Sequence, residues 1–139
     1  MAEPANGKVL VIPCSGIGKV HGLIAREATY RVIENLEPQT SDTLCLALLV
    51  KGDEQARAAV STQPCITVDG CPKLCSCKNV ELAGGRVAES VRVVDAFKGH
   101  KGAQPGTATE LEEDGWIITE EIAQQIAARV RELCGGEEQ

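Results

Sequence analysis

Three cysteines lie within seven residues of this chain, directly after a strand-like run: Cys71, Cys75 and Cys77. A further cysteine, Cys14, directly follows the apolar run 9–13. Cysteines at the ends of two buried strands can meet in space although they are distant in sequence. Thiolates are the ligands of tetrahedral zinc sites and of iron–sulfur clusters. The spacing therefore indicates a metal or sulfur site.

The cysteine count argues against a disulfide framework. The chain has seven cysteines, and an odd number does not suit a closed set of bridges. They are Cys14, Cys45, Cys65, Cys71, Cys75, Cys77 and Cys134. In a reducing compartment, close thiols more often bind metal or carry out redox chemistry.

Length and composition predict one globular domain over residues 1–139, with a core of about 8–134 between ragged termini 1–7 and 135–139. Aromatic residues are 2% of the chain and the formal net charge is -6, which argues against nucleic-acid binding. Residues 1–8 lack a signal-peptide pattern, and no apolar run is long enough to cross a membrane. We expect a cytoplasmic protein with neither nucleic acid nor membrane as a partner.

Apolar runs alternate along the chain with segments whose apolar residues recur every three or four positions. The first pattern predicts buried strands and the second predicts amphipathic helices. The predicted strands are 8–12, 42–50, 65–68, 90–95 and 116–118; the predicted helices are 19–36, 54–61, 72 to about 84, and a last one capped by Thr119. Residues 97–114 are predicted to be an irregular loop.

This alternation predicts a small three-layer α/β domain, Rossmann-like, with a mainly parallel sheet covered by helices. Ligands bind such sheets beyond the carboxyl ends of the strands, where Cys14 and Cys71 are expected. If a helix opens at Pro72, Cys75 lies one turn inside it and Cys77 faces nearly the opposite side. If the helix starts later, after a loop that holds Cys71 to Cys77, all three thiols could converge. Cys45 could join if the second strand ends near it.

Several neighbouring residues have simpler explanations. We expect Cys65 and Cys134 to pack without a role in the site, and Asp69 to cap the turn through its own backbone. His21 is a candidate donor to a metal ligand. The segment Gly16-Ile17-Gly18-Lys19 lacks the spacing of a nucleotide-binding phosphate loop.

Three features together resemble the DGC-domain family, which is named for its Asp-Gly-Cys motif. They are the segment Pro13-Cys14-Ser15-Gly16-Ile17-Gly18-Lys19, the isolated Cys45, and Asp69-Gly70-Cys71 followed by Cys75. The resemblance extends over about residues 8–94. Members of the family are described as zinc-binding because four cysteines recur in them. The resemblance implies Cys14, Cys45, Cys71 and Cys75 as the ligands, and Cys77 lies outside that set.

Three functions follow as hypotheses. The first is a metal-binding protein in which the four cysteines hold zinc at the carboxyl edge of the sheet. The second is an iron–sulfur or thiolate-dependent enzyme that uses Cys75 or Cys77 in sulfur transfer or redox chemistry. The third is a thiol redox sensor, which the absence of a Cys-x2-Cys pair makes the weakest of the three.

Overall fold

The computed structural model describes residues 8–14, 19–70 and 74–134. Within these ranges the chain forms one parallel sheet of four strands, in the order β2-β1-β3-β4. The strands are β1 (Val9–Pro13), β2 (Ser41–Asp42), β3 (Cys65–Asp69) and β4 (Val87–Arg92). The predicted α/β class with a parallel sheet is confirmed.

Helices connect the strands and cover both faces of the sheet. They are α1 (Val20–Arg31), which continues into a π-helical segment (Val32–Leu36), α2 (Leu46–Lys51), α3 (Glu54–Thr62), α4 (Cys75–Leu82), α5 (Val93–Ala96), which continues into a 3-10 turn (Phe97–Gly99), and α6 (Glu113–Leu133). The side chain of Asp53 caps α3 by accepting from the Ala56 N–H at 3.0 Å. No helix in the described ranges is long and apolar enough to cross a membrane.

The core has two halves, one on each face of the sheet, because successive residues of a strand point to opposite faces. Val9 and Val11 of β1 pack with α1, α5 and α6. Leu10 and Ile12 pack with α2, α3 and α4. The predicted three-layer arrangement is therefore present.

The second predicted strand was wrong over most of its length. The strand β2 has two residues, and Leu46–Lys51 form helix α2 instead. Leu46 and Leu49 are buried one helical turn apart, whereas Val50 is 65% exposed. Leu and Ala favour helix, and this run lacks the alternation that a half-buried strand requires.

The last part of the chain also differs from the prediction. The fourth strand ends at Arg92, and Val93–Ala96 form α5. The predicted strand 116–118 lies inside α6, which begins at Glu113. Thr119 therefore does not cap this helix; its hydroxyl donates to the Gly115 carbonyl one turn earlier, at 2.7 Å. Ile118 is buried and Trp116 is half-exposed, as expected for positions on different sides of a helix.

The order of the strands creates a topological switch point at the carboxyl edge of the sheet, between β1 and β3. The chain leaves β1 through α1 to reach β2 on one side, and it returns through α2 and α3 to β3 on the other side. The connections from β1 and β3 therefore diverge between these two strands. Ligands of parallel α/β sheets bind at such a topological switch point.

Candidate metal centre

Cys14 lies at this switch point, directly after β1. Its backbone N–H donates to the Val68 carbonyl at 2.8 Å, which extends the pairing of β1 with β3 by one residue. The side chain is 7% exposed. Its Sγ accepts a hydrogen bond from the backbone N–H of Gly70 at 3.1 Å. The thiol is therefore fixed between the ends of the two central strands.

Gly70 is packed against the first turn of α1. A Cβ at this position would lie 3.0 Å from the Gly22 nitrogen and 3.0 Å from the His21 carbonyl carbon. Since both neighbours are backbone atoms, a side chain here would displace the chain. The close approach brings the amino end of α1 to the segment that donates to Cys14.

His21, in this first turn, packs its ring on Phe97, with ring centroids 4.7 Å apart. Burial lowers the pKa of His21, and the nearby Lys19 lowers it further. The neutral imidazole is therefore favoured at pH 7. The contact with Phe97 places the ring on the α5 side of α1; its predicted role as a donor to a ligand stays a prediction.

The helix that follows the Asp-Gly-Cys motif begins later than predicted. Helix α4 starts at Cys75, and Leu74 before it has a left-handed backbone with φ of 59°. The predicted first helical residue, Pro72, lies outside the described residues. Cys75 is exposed and Cys77 is half-buried. The alternative of a helix that starts after a loop holding Cys71 to Cys77 was therefore also wrong, because Cys75 and Cys77 both lie within α4.

Asp69, the last residue of β3, caps α4 from outside the helix. Its Oδ1 accepts from the Ser76 N–H at 2.7 Å and its Oδ2 accepts from the Cys77 N–H at 3.2 Å. The residue is 1% exposed. Burial raises the pKa of Asp69, and the two N–H donors lower it by a smaller amount. The expected capping role of Asp69 is therefore present at the first turn of α4, whereas residues 71–73 of the turn directly after Asp69 lie outside the described residues.

Ser76 joins the same helix to the first strand. Its hydroxyl donates to the carbonyl of Ile12 at 2.8 Å, and the residue is fully buried. Ser76 was not among the residues predicted for the site. A serine between two thiols in the first turn of a helix is the signal that could have found it, because a short hydroxyl there bonds readily to nearby backbone.

Cys45 reaches the same edge of the sheet by a different route than predicted. It does not lie within a strand; it is the N-cap residue of α2, three positions after β2, and is exposed. β2 pairs with β1 in parallel, with Asp42 opposite Leu10. Since parallel strands end at one edge, Cys45 follows β2 on the side where Cys14 follows β1.

The other described cysteines lie elsewhere. Cys65 is fully buried at the start of β3, in the core half formed by α2, α3 and α4, so its predicted packing role is confirmed. Burial raises the pKa of the Cys65 thiol to about 11. Cys134, just after α6, is half-buried, and its Sγ lies 3.6 Å from the Thr40 carbonyl oxygen.

One predicted ligand, Cys71, falls outside the described residues, as do residues 15–18 of the segment that carries the family resemblance. Within the described ranges, no group of three or more His, Cys, Asp or Glu side chains lies close enough together to hold a metal ion. The four-cysteine ligand set therefore stays a prediction. The described part of the centre is Cys14 together with the hydrogen bonds that join β1, β3 and α4.

Comparison with protein-family models gives a match over most of the chain. The family model described as the DGC domain matches residues 10–115 of the chain. Neither the search of curated proteins nor the search of solved structures found a match.

Proposed function

Because this chain belongs to the DGC-domain family, we propose that it binds a metal ion, zinc, through the thiolates of Cys14, Cys45, Cys71 and Cys75 at the carboxyl edge of its sheet. Four thiolates suit zinc in a tetrahedral site. Cys14 and Cys45 follow neighbouring parallel strands, and Cys71 and Cys75 belong to the connection that follows β3.

The observation that carries the proposal is the hydrogen bond from the Gly70 N–H to the Cys14 sulfur, 3.1 Å long. A backbone N–H aimed at sulfur engages a sulfur lone pair and leaves no need for an S–H, so a thiolate that binds metal can keep this bond. Hydrogen bonds to the sulfurs are also a recurrent support of thiolate metal sites. Gly70 directly precedes Cys71 in the sequence. The residue that donates to one proposed ligand, Cys14, is therefore the chain neighbour of another, Cys71.

A second buried cysteine of the same protein provides the contrast. The Cys65 thiol donates to the carbonyls of Gln63 and Val60, at 3.4 and 3.8 Å. Carbonyl oxygens need a protonated thiol as their partner, whereas the N–H group at Cys14 needs a lone pair on sulfur. The surroundings of Cys14 therefore suit a metal ligand, and those of Cys65 suit an inert thiol.

The test is the metal content of protein purified without oxygen. We expect about one zinc per chain and no absorption band near about 400 nm, because zinc with thiolates lacks the visible transitions of iron–sulfur clusters. Cys14→Ser should lose the metal. Cys134→Ser, which removes a thiol at the far end of α6, is the matched control and should keep it. An unchanged zinc content in Cys14→Ser would refute the ligand set.

One observation favours a second candidate function. Cys75 is exposed at the first residue of α4, so a co-substrate could reach its thiol while other cysteines hold an iron–sulfur cluster. Such a protein would act in sulfur transfer or redox chemistry. Iron with sulfide in the purified protein, kept in Cys75→Ser, would support this candidate and contradict the zinc site.

A further inference from the structure

The carboxylate of Asp69 accepts hydrogen bonds from the first turn of α4, which the N-cap residue of that helix does not. In the usual arrangement a side chain at the N-cap accepts from the first N–H groups of its own helix. The N-cap residue here is Leu74, whose side chain makes no such bond. The acceptor comes instead from the end of β3, seven residues before Ser76. This places the amino end of α4 directly on the end of a central strand.

A second bond fixes the same turn to the neighbouring strand. The Ser76 hydroxyl donates to the Ile12 carbonyl, two residues before Cys14. The first turn of α4 is thus bonded to the ends of both β1 and β3. Cys75 and Cys77 flank Ser76, and the Asp69 oxygens accept from Ser76 and Cys77 themselves. The position of these two thiols relative to Cys14 depends on this set of bonds.

A helix cap alone does not require a buried carboxylate. Asp53 caps α3 from the ordinary N-cap position, through a half-buried hydrogen bond from the Ala56 N–H. Asp69 is 1% exposed and reaches across from another element. Burial of a charged group is unfavourable unless it is well bonded. The same protein thus contains an ordinary cap and an unusual one, and the unusual one lies beside the cysteines.

We propose that Asp69 is a positioning residue, which holds the thiols of the first turn of α4 in register with Cys14. It acts through the backbone of Ser76 and Cys77 rather than as a ligand. The inference deepens the proposed metal site and rests on it. The supports of metal ligands typically contribute 10- to 100-fold to metal affinity, so Asp69 should contribute by a similar factor.

The test compares three variants of the full-length chain. Asp69→Ala removes both acceptors, Asp69→Asn keeps one acceptor oxygen, and Asp53→Ala removes the ordinary cap of α3. Zinc affinity, measured by competition with a chelator, should fall about 10- to 100-fold in Asp69→Ala and by less in Asp69→Asn. Asp53→Ala should stay within about twofold of the wild type. Circular dichroism shows whether each variant is folded. If Asp69→Ala does not fold, the zinc affinity of Asp69→Asn decides the test.

A second measurement uses the metal-free protein, so that it is independent of zinc binding. Hydrogen exchange at the Ser76 and Cys77 amides should rise about five- to tenfold in Asp69→Ala, which corresponds to the loss of one helix cap. Alkylation of half-buried Cys77 by iodoacetamide, mapped by mass spectrometry, should accelerate by a similar factor. Neither rate should change in Asp53→Ala.

The outcomes separate the two proposals. If the wild type binds no zinc, the proposed function fails, and the Cys77 alkylation rate alone decides the role of Asp69. An unchanged rate in Asp69→Ala overturns the positioning role, and an accelerated rate supports it. If the wild type binds zinc but Asp69→Ala binds it within twofold as well, Asp69 is a structural cap and the inference is wrong.

Discussion

At the scale of single residues, two buried thiols of this protein have opposite roles in their hydrogen bonds. Cys14 accepts a hydrogen bond from an N–H group, and Cys65 donates to carbonyl oxygens. The difference follows from position. Cys14 stands one residue beyond its strand, where backbone N–H groups are free to donate, and Cys65 begins its strand beside carbonyls of the preceding turn. Reactivity is therefore set by place in the fold as well as by burial.

The Cys65 thiol predicts a loss of stability at alkaline pH. Its pKa is raised from the ordinary 9.0 to about 11, so between these values the unfolded chain loses a proton that the folded protein keeps. The free energy of unfolding should consequently fall as the pH rises from 9 to 11. Urea unfolding across this range should show a smaller fall for Cys65→Ala than for the wild type. The control, Cys75→Ala, removes an exposed thiol; parallel curves for wild type and Cys65→Ala would contradict the prediction.

Gly70 predicts a steric effect at the same edge of the sheet. A methyl group there would lie 3.0 Å from two backbone atoms of α1, and backbone cannot yield as a flexible side chain can. Gly70→Ala should lower the free energy of unfolding by about 1–3 kcal/mol in urea titrations. Gly99→Ala is the matched control, since no atom lies within 4 Å of its added Cβ; its effect should stay within about 0.5 kcal/mol. Equal effects of the two substitutions would argue against close packing at Gly70.

At the scale of secondary-structure elements, the sequence predicted best the strands whose burial is complete. β1 and β3 lie in the middle of the sheet, where strands buried on both faces are rich in β-branched apolar residues. The run that includes Leu46 and Leu49 is equally apolar but forms α2. A short apolar run cannot by itself distinguish a buried strand from a buried helix. The error at 42–50 has this cause.

The amino end of α6 and the start of α4 were missed for a different reason. Trp116, Ile117 and Ile118 have side chains typical of strands, but the helical turns before and after them decide their conformation. The bonds of Asp69 and Ser76 join residues of three elements, and such contacts have no signal in the local pattern. The predicted metal site thus came from the cysteine spacing and the family resemblance, whereas its hydrogen bonds required the fold.

Helix α6 offers a prediction about the contribution of one helix face. Ile126 is fully buried in the half of the core that contains α1, whereas Ile117, nine positions earlier on the same helix, is 46% exposed. Ile126→Ala should lower the free energy of unfolding by about 2–5 kcal/mol, because it leaves a cavity in a packed core. Ile117→Ala should lower it by less than about 1 kcal/mol. Guanidinium unfolding measures both, and similar values would contradict the burial pattern of α6.

At the scale of the whole molecule, the candidate site occupies the place where the two halves of the chain diverge. The first crossover packs α1 on one face of the sheet, and the second packs α2 and α3 on the other. A metal ion bound at the carboxyl edge would therefore join segments from both halves. A ligand that binds the folded form alone stabilises the entire domain.

Zinc should accordingly raise the thermal midpoint of the metal-free protein. At a free zinc concentration about 100 times the dissociation constant, the stabilisation is about 2.7 kcal/mol. For a domain of this size that corresponds to a shift of roughly 5–10 °C. Differential scanning fluorimetry should show this shift in the wild type and in Cys134→Ser, but not in Cys14→Ser. A full shift in Cys14→Ser would mean that zinc stabilises the domain at another place.

The residues of β1 alternate between the two halves of the core, and this alternation fixes the register of the strand. Val9 and Val11 are committed to one face and Leu10 and Ile12 to the other, so the strand cannot slip by one residue without exchanging every side chain between the faces. The distance of Cys14 beyond the end of the sheet is therefore fixed by the packing of these core residues. Insertion of one residue after Ile12 would move the thiol away from Gly70 while keeping the register of Val9 to Ile12, which would separate the position of the ligand from the pairing of the strand.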